Sequence, residues 1–338
     1  MAARILTGLF LALLVAGSRT PVAVDQTSQP LSCGPGTDGQ SALQGRLDAA
    51  GAAPAAFLPK LELARCLDLS WRFDDVAPAV ELALAAFRSE IHPIEKQLPS
   101  RPALAGRDVG VPVRTKMMLP VYPDRASSEG ITGIVIVEAQ IDREGRVKRA
   151  EIVQSVPSLD KAAKDAVRKW QFAPAVMNGQ IVEVLTYLPM KFGQSTTFWA
   201  SDHLELARFF YQRGLWGHVA GALANARDLA RRDADRIGVI AEGSGRGRTT
   251  GLNMPEVVKQ QMPRYTSGAM KAKIMGNVEL RALIDRYGDV IRTAVMKPLP
   301  MLNMAAEQAA MQWKFKPGSL NGQPISVSVG LVLEFRLR

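Results

Sequence analysis

The feature that most constrains this chain is internal: the segment from Pro120 to Phe192 returns without a gap as Pro263 to Phe335, at a constant offset of 143 residues. Of the 73 aligned positions, 27 are identical. They include Gly133 with Gly276, Asp142-Arg143 with Asp285-Arg286, Gly145 with Gly288, Trp170 with Trp313, Phe172 with Phe315, Pro174 with Pro317, and Asn178-Gly179-Gln180 with Asn321-Gly322-Gln323. Such a register means one folding unit used twice. The same offset carries upstream, where Leu61-Glu62-Leu63-Ala64-Arg65 returns as Leu204-Glu205-Leu206-Ala207-Arg208. Each unit therefore holds a helical hairpin, a polar connector and a domain containing the Trp.

Within the hairpin, Leu61, Ala64, Leu67, then Val76, Val80, Ala83 and Phe87 recur at helical spacing about a turn placed at Phe73-Asp74-Asp75. The pair has a tetratricopeptide look, and one pair alone cannot bury both of its faces, so it must lean on a neighbour. A packing spacer is the simpler role for it. In the domain, Ile131 to Ile141 and Ile274 to Ile284 alternate with period two, which predicts a half-buried strand. Asp142-Arg143-Glu144-Gly145 predicts a turn, and Val147 to Val153 an antiparallel return. Leu159, Ala162, Ala163, Ala166, Val167 and Trp170 form one helical stripe, capped by Ser158 or Asp160. Asn178-Gly179 and Asn321-Gly322 predict tight turns that start the last strands, Ile181 to Phe192 and Ile325 to Phe335.

These residues as a set resemble the TonB C-terminal domain family: Pro120-Val121-Tyr122-Pro123, Gly130-Ile131-Thr132-Gly133, Ile141 to Val147, Leu159-Asp160 to Trp170-Gln171-Phe172-Ala173-Pro174-Ala175, and Asn178-Gly179. The resemblance implies an α+β fold: two TonB C-terminal-like domains, each strand-strand-helix-strand with an antiparallel sheet and one packed helix, alternating with helical hairpins. Boundaries are placed at 1–23 for a signal peptide, 24–50 for a disordered leader, 51–90 and 198–234 for the hairpins, and 112–193 and 255–338 for the domains. The resemblance further implies capture of an extended segment of an outer-membrane receptor, or another envelope protein, along the free edge of the last strand. The edge residues expected to act are Val182, Val184, Thr186 and Leu188 in the first copy and Ile325, Val327, Val329 and Leu331 in the second. An unpaired edge is a template for strand addition, and two copies would add avidity. The second copy departs from the pattern with Thr266 where the first has Pro123 and with Pro298 in the middle of its second strand, and that proline argues for an edge position or a bulge and makes this copy the less certain binder.

Arg4, the apolar run Ile5 to Val15, and Ala16-Gly17-Ser18 read as a secretory signal, the run being shorter than the roughly 20 residues that span a bilayer. A periplasmic location is expected, with an inner-membrane-anchored energy transducer as the alternative if the segment is retained. Export would permit a bridge between the two cysteines, Cys33 and Cys66; the alternative is Cys66 as a small core residue. The net charge of +10 favours anionic surroundings, and a basic scaffold holding peptidoglycan or anionic lipid is the rival function. The cations are spread without an aromatic-interleaved stripe, so no nucleic-acid partner is expected. His92, His203 and His218 stand apart from carboxylates at ligand spacing, and Gly243-Ser244-Gly245-Arg246-Gly247 lacks a strand-turn-helix setting. No metal, cofactor or catalytic constellation is expected, so the chain is not an enzyme on this reading. Homodimerisation by edge pairing remains an open alternative.

Overall fold

The computed structural model describes residue 33 and residues 57–95, 112–238, 240–242 and 251–337. The signal, most of the leader and the Gly243 to Gly247 connector lie outside the described residues.

Each hairpin is a pair of antiparallel helices: α1 (Phe57–Leu69) with α2 (Phe73–Glu95), and α5 (Ala200–Gln212) with α6 (Trp216–Ile237). The first turn is Ser70 to Arg72 rather than the expected Phe73-Asp74-Asp75. Trp71 takes a left-handed φ of 62°, and Asp74 and Asp75 instead sit in the first turn of α2, where the helix dipole favours acids. Cys33 is bonded to Cys66 on α1, with their Cα atoms 5.1 Å apart.

In the first domain, β1 (Arg114–Lys116) leads to the short helix α3 (Asp124–Ser128), then to β2 (Gly133–Ile141), β3 (Val147–Gln154) and helix α4 (Pro157–Val167). The small strands β4 (Gln171–Phe172), β5 (Ala175–Met177) and β6 (Gln180–Val182) precede β7 (Val184–Phe192). The sheet order is β3-β2-β7, all antiparallel. The second domain repeats the plan: β9 (Leu252–Asn253), β10 (Glu256–Lys259), α7 (Ser267–Lys271), β11 (Gly276–Ile284), β12 (Val290–Lys297) and α8 (Asn303–Ala310). After them come β13 (Lys314–Lys316), β14 (Ser319–Leu320), β15 (Gln323–Pro324) and β16 (Ser326–Phe335). Its sheet carries one strand more. The order is β12-β11-β16-β8, where β8 (Ile240–Glu242) comes from the connector and pairs parallel to Ser326–Ser328.

Local chemistry explains these elements. The Asp142 carboxylate accepts from the Glu144 and Arg146 amides, closing the β2–β3 turn. Gly145 follows with φ 81°, and a Cβ there would lie 1.8 Å from the Phe172 carbonyl oxygen, so only glycine lets β4 approach. Helix α4 starts at Pro157, and the cap is Asp160 rather than Ser158: its Oδ1 accepts from the Val156 amide. Asn178 and Gly179 both have positive φ, as the expected hairpin turn requires. That hairpin belongs to β5 and β6, so the last strand begins at Val184 rather than Ile181. Pro298 lies just past the end of β12, not inside it, so it takes no donor from the second sheet.

One face of each sheet packs on its own helix. Val135, Val137, Ala139, Ile141, Val184 and Leu188 meet Leu159, Ala163 and Val167, with Trp170 and Phe172 closing the end; each buried ring contributes about 2 to 3 kcal/mol. The Trp170 indole donates to the Met118 carbonyl and Trp313 to that of Gln261.

The opposite faces are covered by the hairpins, and the pairing is crossed. On the first sheet, Ile134, Ile136 and Tyr187 pack against the second hairpin, where Tyr187 meets Phe210 at 5.8 Å and His218 at 5.4 Å. On the second sheet, Leu283 packs with Trp71 and Phe73 of the first hairpin, together with Ile237. Helix α1 contacts its own repeat α5, α2 contacts α6, and α3 contacts α7. Contacts between equivalent elements are those of a two-fold pair, so the duplicated chain folds as an internal pseudo-dimer around a four-helix layer. The hairpins are thus the central layer of the molecule rather than spacers. Copy 1 strand Gly133–Ile141 is accordingly buried on both faces for much of its length, not on one.

Candidate functional site

The candidate site is the outer edge of each last strand, and hydrogen-bond parity decides which residues own it. In an antiparallel ladder the backbone groups of alternate residues point to opposite neighbours. The Asp142 amide donates to the Arg146 carbonyl, so Asp142 faces β3. Gln140, Glu138 and Ile136 share that parity, and Ile141, Ala139, Val137, Val135 and Gly133 face β7. Their partners across the ladder are Val184, Thr186, Leu188, Met190 and Phe192. The open side of β7 therefore belongs to Leu185, Tyr187, Pro189 and Lys191. In the second copy the Asp285 amide donates to Asp289, so by the same count β11 takes Val327, Val329, Leu331, Leu333 and Phe335. The outward residues of β16 are Ser326, Ser328, Gly330, Val332 and Glu334.

The sequence-expected edge residues thus fall on the other parity. Val184, Thr186 and Leu188 are 2, 3 and 7% exposed, with side chains toward α4 and backbone groups in the β2 ladder. Val327 and Leu331 are likewise buried, Val329 is partly so, and all three pair with β11. Val182 lies on β6, and Ile325 sits between β15 and β16, its amide donating to the Gly318 carbonyl. The reason is the break at Glu183 and Ile325, which restarts the last strand with its own parity. Proline carried the missed signal: Pro189 has no N–H, and a strand proline belongs where its nitrogen faces away from the ladder.

The two edges differ in what they offer. On β7, Pro189 interrupts the donor row, Tyr187 is pinned between Phe210 and His218, and Lys191 is held by Asp202 at 2.5 Å and over the Trp199 ring at 3.8 Å. Burial pushes the Tyr187 hydroxyl up to about 12 and the Lys191 ammonium down, as expected for groups enclosed by the helical layer. On β16, β8 covers Ser326 and Ser328, both buried, while Gly330, Val332 and Glu334 are exposed. Val332 is 58% exposed and has no strand beside it among the described residues. No proline interrupts the donor row of β16, so the second copy, the less certain binder from its sequence, has the more complete row.

Other groups are structural. His203 lies against Phe198 and His218 between Tyr187 and Phe210; burial lowers both imidazoles. Among the described residues no group of three His, Cys, Asp or Glu side chains could hold a metal ion. A cleft of about 620 Å³ lies where α3 meets the second domain. Its Gln261, Gln308 and Gln312 amides donate to Met262, Gly193 and Gln308 carbonyls, and the Thr266 hydroxyl to that of Met301, so these polar groups are already satisfied. No helix among the described residues is long and apolar enough to cross a membrane.

Residues 118–193 and 261–337 each match the Gram-negative bacterial TonB protein C-terminal family, and they are two tandem TonB C-terminal domains. The chain is similar to Protein TonB of Pseudomonas aeruginosa, 41% identical over 69 residues that cover 20% of each protein. It is also similar to Protein TonB of Xanthomonas campestris pv. campestris, 34% identical over 90 residues, 25% of this chain and 40% of that one. The matches thus span well under half the length of these relatives. The solution NMR structure of Pseudomonas aeruginosa TonB CTD shares 33% identity, covering 25% of this chain and 86% of that one with a TM-score of 0.21.

Proposed function

From the premise of two tandem TonB C-terminal domains in one chain, we propose a non-catalytic envelope protein of the periplasm that captures an extended segment of an outer-membrane transporter, or of another envelope partner, in support of transport. Capture is by strand addition on the second domain. The observation that carries this reading is the half of β16 with no strand beside it among the described residues, where Gly330, Val332 and Glu334 turn their amides and carbonyls outward beside a well-packed sheet. A segment laid there extends the β12-β11-β16 sheet and satisfies groups that otherwise bond water. Net gains of about 1 kcal/mol per backbone bond, set against the cost of ordering the segment, give reversible binding. The first domain, with Pro189 on its edge and its outer face under the helices, supports the pseudo-dimer rather than adding a second equal site.

The test is a pull-down from detergent-solubilised envelope with the parent chain beside Val332→Pro, at low and moderate salt, with captured proteins identified by mass. An outer-membrane protein recovered by the parent and lost by the variant supports the reading. Equal recovery by both, or recovery only of wall or lipid that vanishes with salt, would sink it in favour of the basic scaffold.

A further inference from the structure

Resting on that reading of the β16 edge, the structure also narrows which segment can occupy it. Three observations converge on Gly330. First, nothing in the fold asks for glycine there: its φ is not in the left-handed region, and an added Cβ would meet no atom within 4 Å. Second, the position equivalent to Gly330 in the first copy is Tyr187, whose ring lies on the outer face of its sheet against Phe210 and His218. Among the described residues of the second copy no side chain lies within 4 Å of that place. Third, Gly330 pairs with Arg281, whose Nε donates to the Ser328 hydroxyl and whose guanidinium stands over the Trp71 ring with Cζ 5.3 Å from its centroid. A flat cation already stacked on one indole thus borders a strand position without a side chain.

The register is fixed beside it. In the parallel pairing Ala241 lies opposite Val327 and directs its amide and carbonyl to Ser326 and Ser328. Ile240 is anchored in the cluster of Trp71, Phe73, Ile237 and Leu283, and the Ser326 hydroxyl donates to the Ile237 carbonyl at 2.6 Å. An incoming strand meets the end of β8 and is confined to Gly330, Val332 and Glu334.

We propose that the second domain selects an extended partner segment with an aromatic residue beside Gly330, next to Arg281, in a register set by β8. The aromatic ring supplies in trans what Tyr187 supplies within the first copy, and a glycine on an edge strand is a seat for such a ring.

Six- and ten-residue N-acetylated peptides of alternating Thr and Val, with one central Phe or with Gly in its place, test this by titration and amide exchange on the full chain. The Phe hexapeptide should protect the Gly330, Val332 and Glu334 amides and bind about tenfold tighter than the Gly version, a preference that Gly330→Val should abolish. The ten-residue peptide should bind the parent no tighter than the six-residue one. It should gain about tenfold in the double variant Ile240→Gly/Ala241→Pro, with protection then provided by the peptide at Ser326 and Ser328. Loss of Ala241 amide protection when the long peptide binds the parent, or equal affinity for the Phe and Gly peptides, would overturn the proposal. Absence of peptide binding while envelope capture still depends on Val332 overturns this inference alone; capture indifferent to Val332→Pro overturns the reading beneath it.

Discussion

Val332→Pro separates fold from function because the molecule already contains its own control. Position 332 is the repeat of Pro189, and Pro189 sits opposite Ile136 in an unbroken ladder whose first domain is well packed. The N–H removed at 332 faces away from β11, so no bond of the free protein is lost; unfolding free energy should change by less than about 1 kcal/mol. The bound state loses more. One backbone bond is removed at about 1 kcal/mol net, and the partner carbonyl left without a donor costs about 1 kcal/mol or more, together on the order of 2 kcal/mol. At about 1.4 kcal/mol per decade that is roughly a thirtyfold weaker complex. The assay is titration of the outer-membrane protein recovered with the parent against parent and variant, with urea unfolding of both. A variant that unfolds like the parent and binds within about twofold of it refutes the edge argument. Leu331→Pro, which removes a donor from the β11 ladder, should instead lower stability by about 3 kcal/mol.

Arg292 lies 5% exposed at the junction of both hairpins and the second domain, 3.4 Å from Asp68 and 3.1 Å from Asp233, with its guanidinium over Trp199. Arg292→Ala leaves the buried Asp68 without its cation and should cost about 3 to 5 kcal/mol in urea unfolding, a penalty that Asp68→Asn partly relieves. Glu307 sits beside the Thr293 hydroxyl at 3.4 Å, and that hydroxyl also meets Gln194, just past the first domain; burial raises the Glu307 carboxyl to about 7. A folded value above the unfolded one means the native state holds the extra proton between about pH 4.5 and 7. Stability contributed by the protonated form is therefore lost as pH rises through that window, by roughly 3 kcal/mol, and Glu307→Gln should flatten the dependence of Tm on pH. Reduction of Cys33–Cys66, or Cys66→Ser, opens a 33-residue separation and should lower unfolding free energy by about 2 to 4 kcal/mol, read by urea melts with and without reductant.

Much of the architecture was legible because it is local. The 143-residue offset, the Asp142 to Gly145 and Asn178-Gly179 turns, the alanine stripe of α4 and the alternation of β2 and β11 are statements about neighbours a few residues apart, where turn chemistry and periodicity act. The strand-strand-helix-strand order and the antiparallel sheets follow from them, and the structure carries both copies. Of the two expected helix caps the structure uses Asp160, which reaches back to Val156, and the hairpin turn moved by a few residues because Asp74-Asp75 favour a helix start. Pro298 was read as a strand breaker when it is a strand terminator, since the distinction rests on where β12 leaves β11.

The site was less legible. Which backbone groups of the last strand face outward depends on where the strand restarts after Glu183 or Ile325, and one residue of error exchanges every inward and outward group. Whether an edge is open depends on contacts between residues far apart in the chain: β8 reaching Ser326–Ser328, and helices of one repeat crossing to the sheet of the other. The sequence by itself determined that two TonB-like units exist and what each contains, because each unit closes its own core through short-range periodicity. Only the tertiary structure decided that they pair as a crossed pseudo-dimer and that β8 covers Ser326 to Ser328 of the β16 edge while Gly330 to Glu334 have no strand beside them among the described residues, because burial between repeats is a property of shapes that meet and not of any one strand.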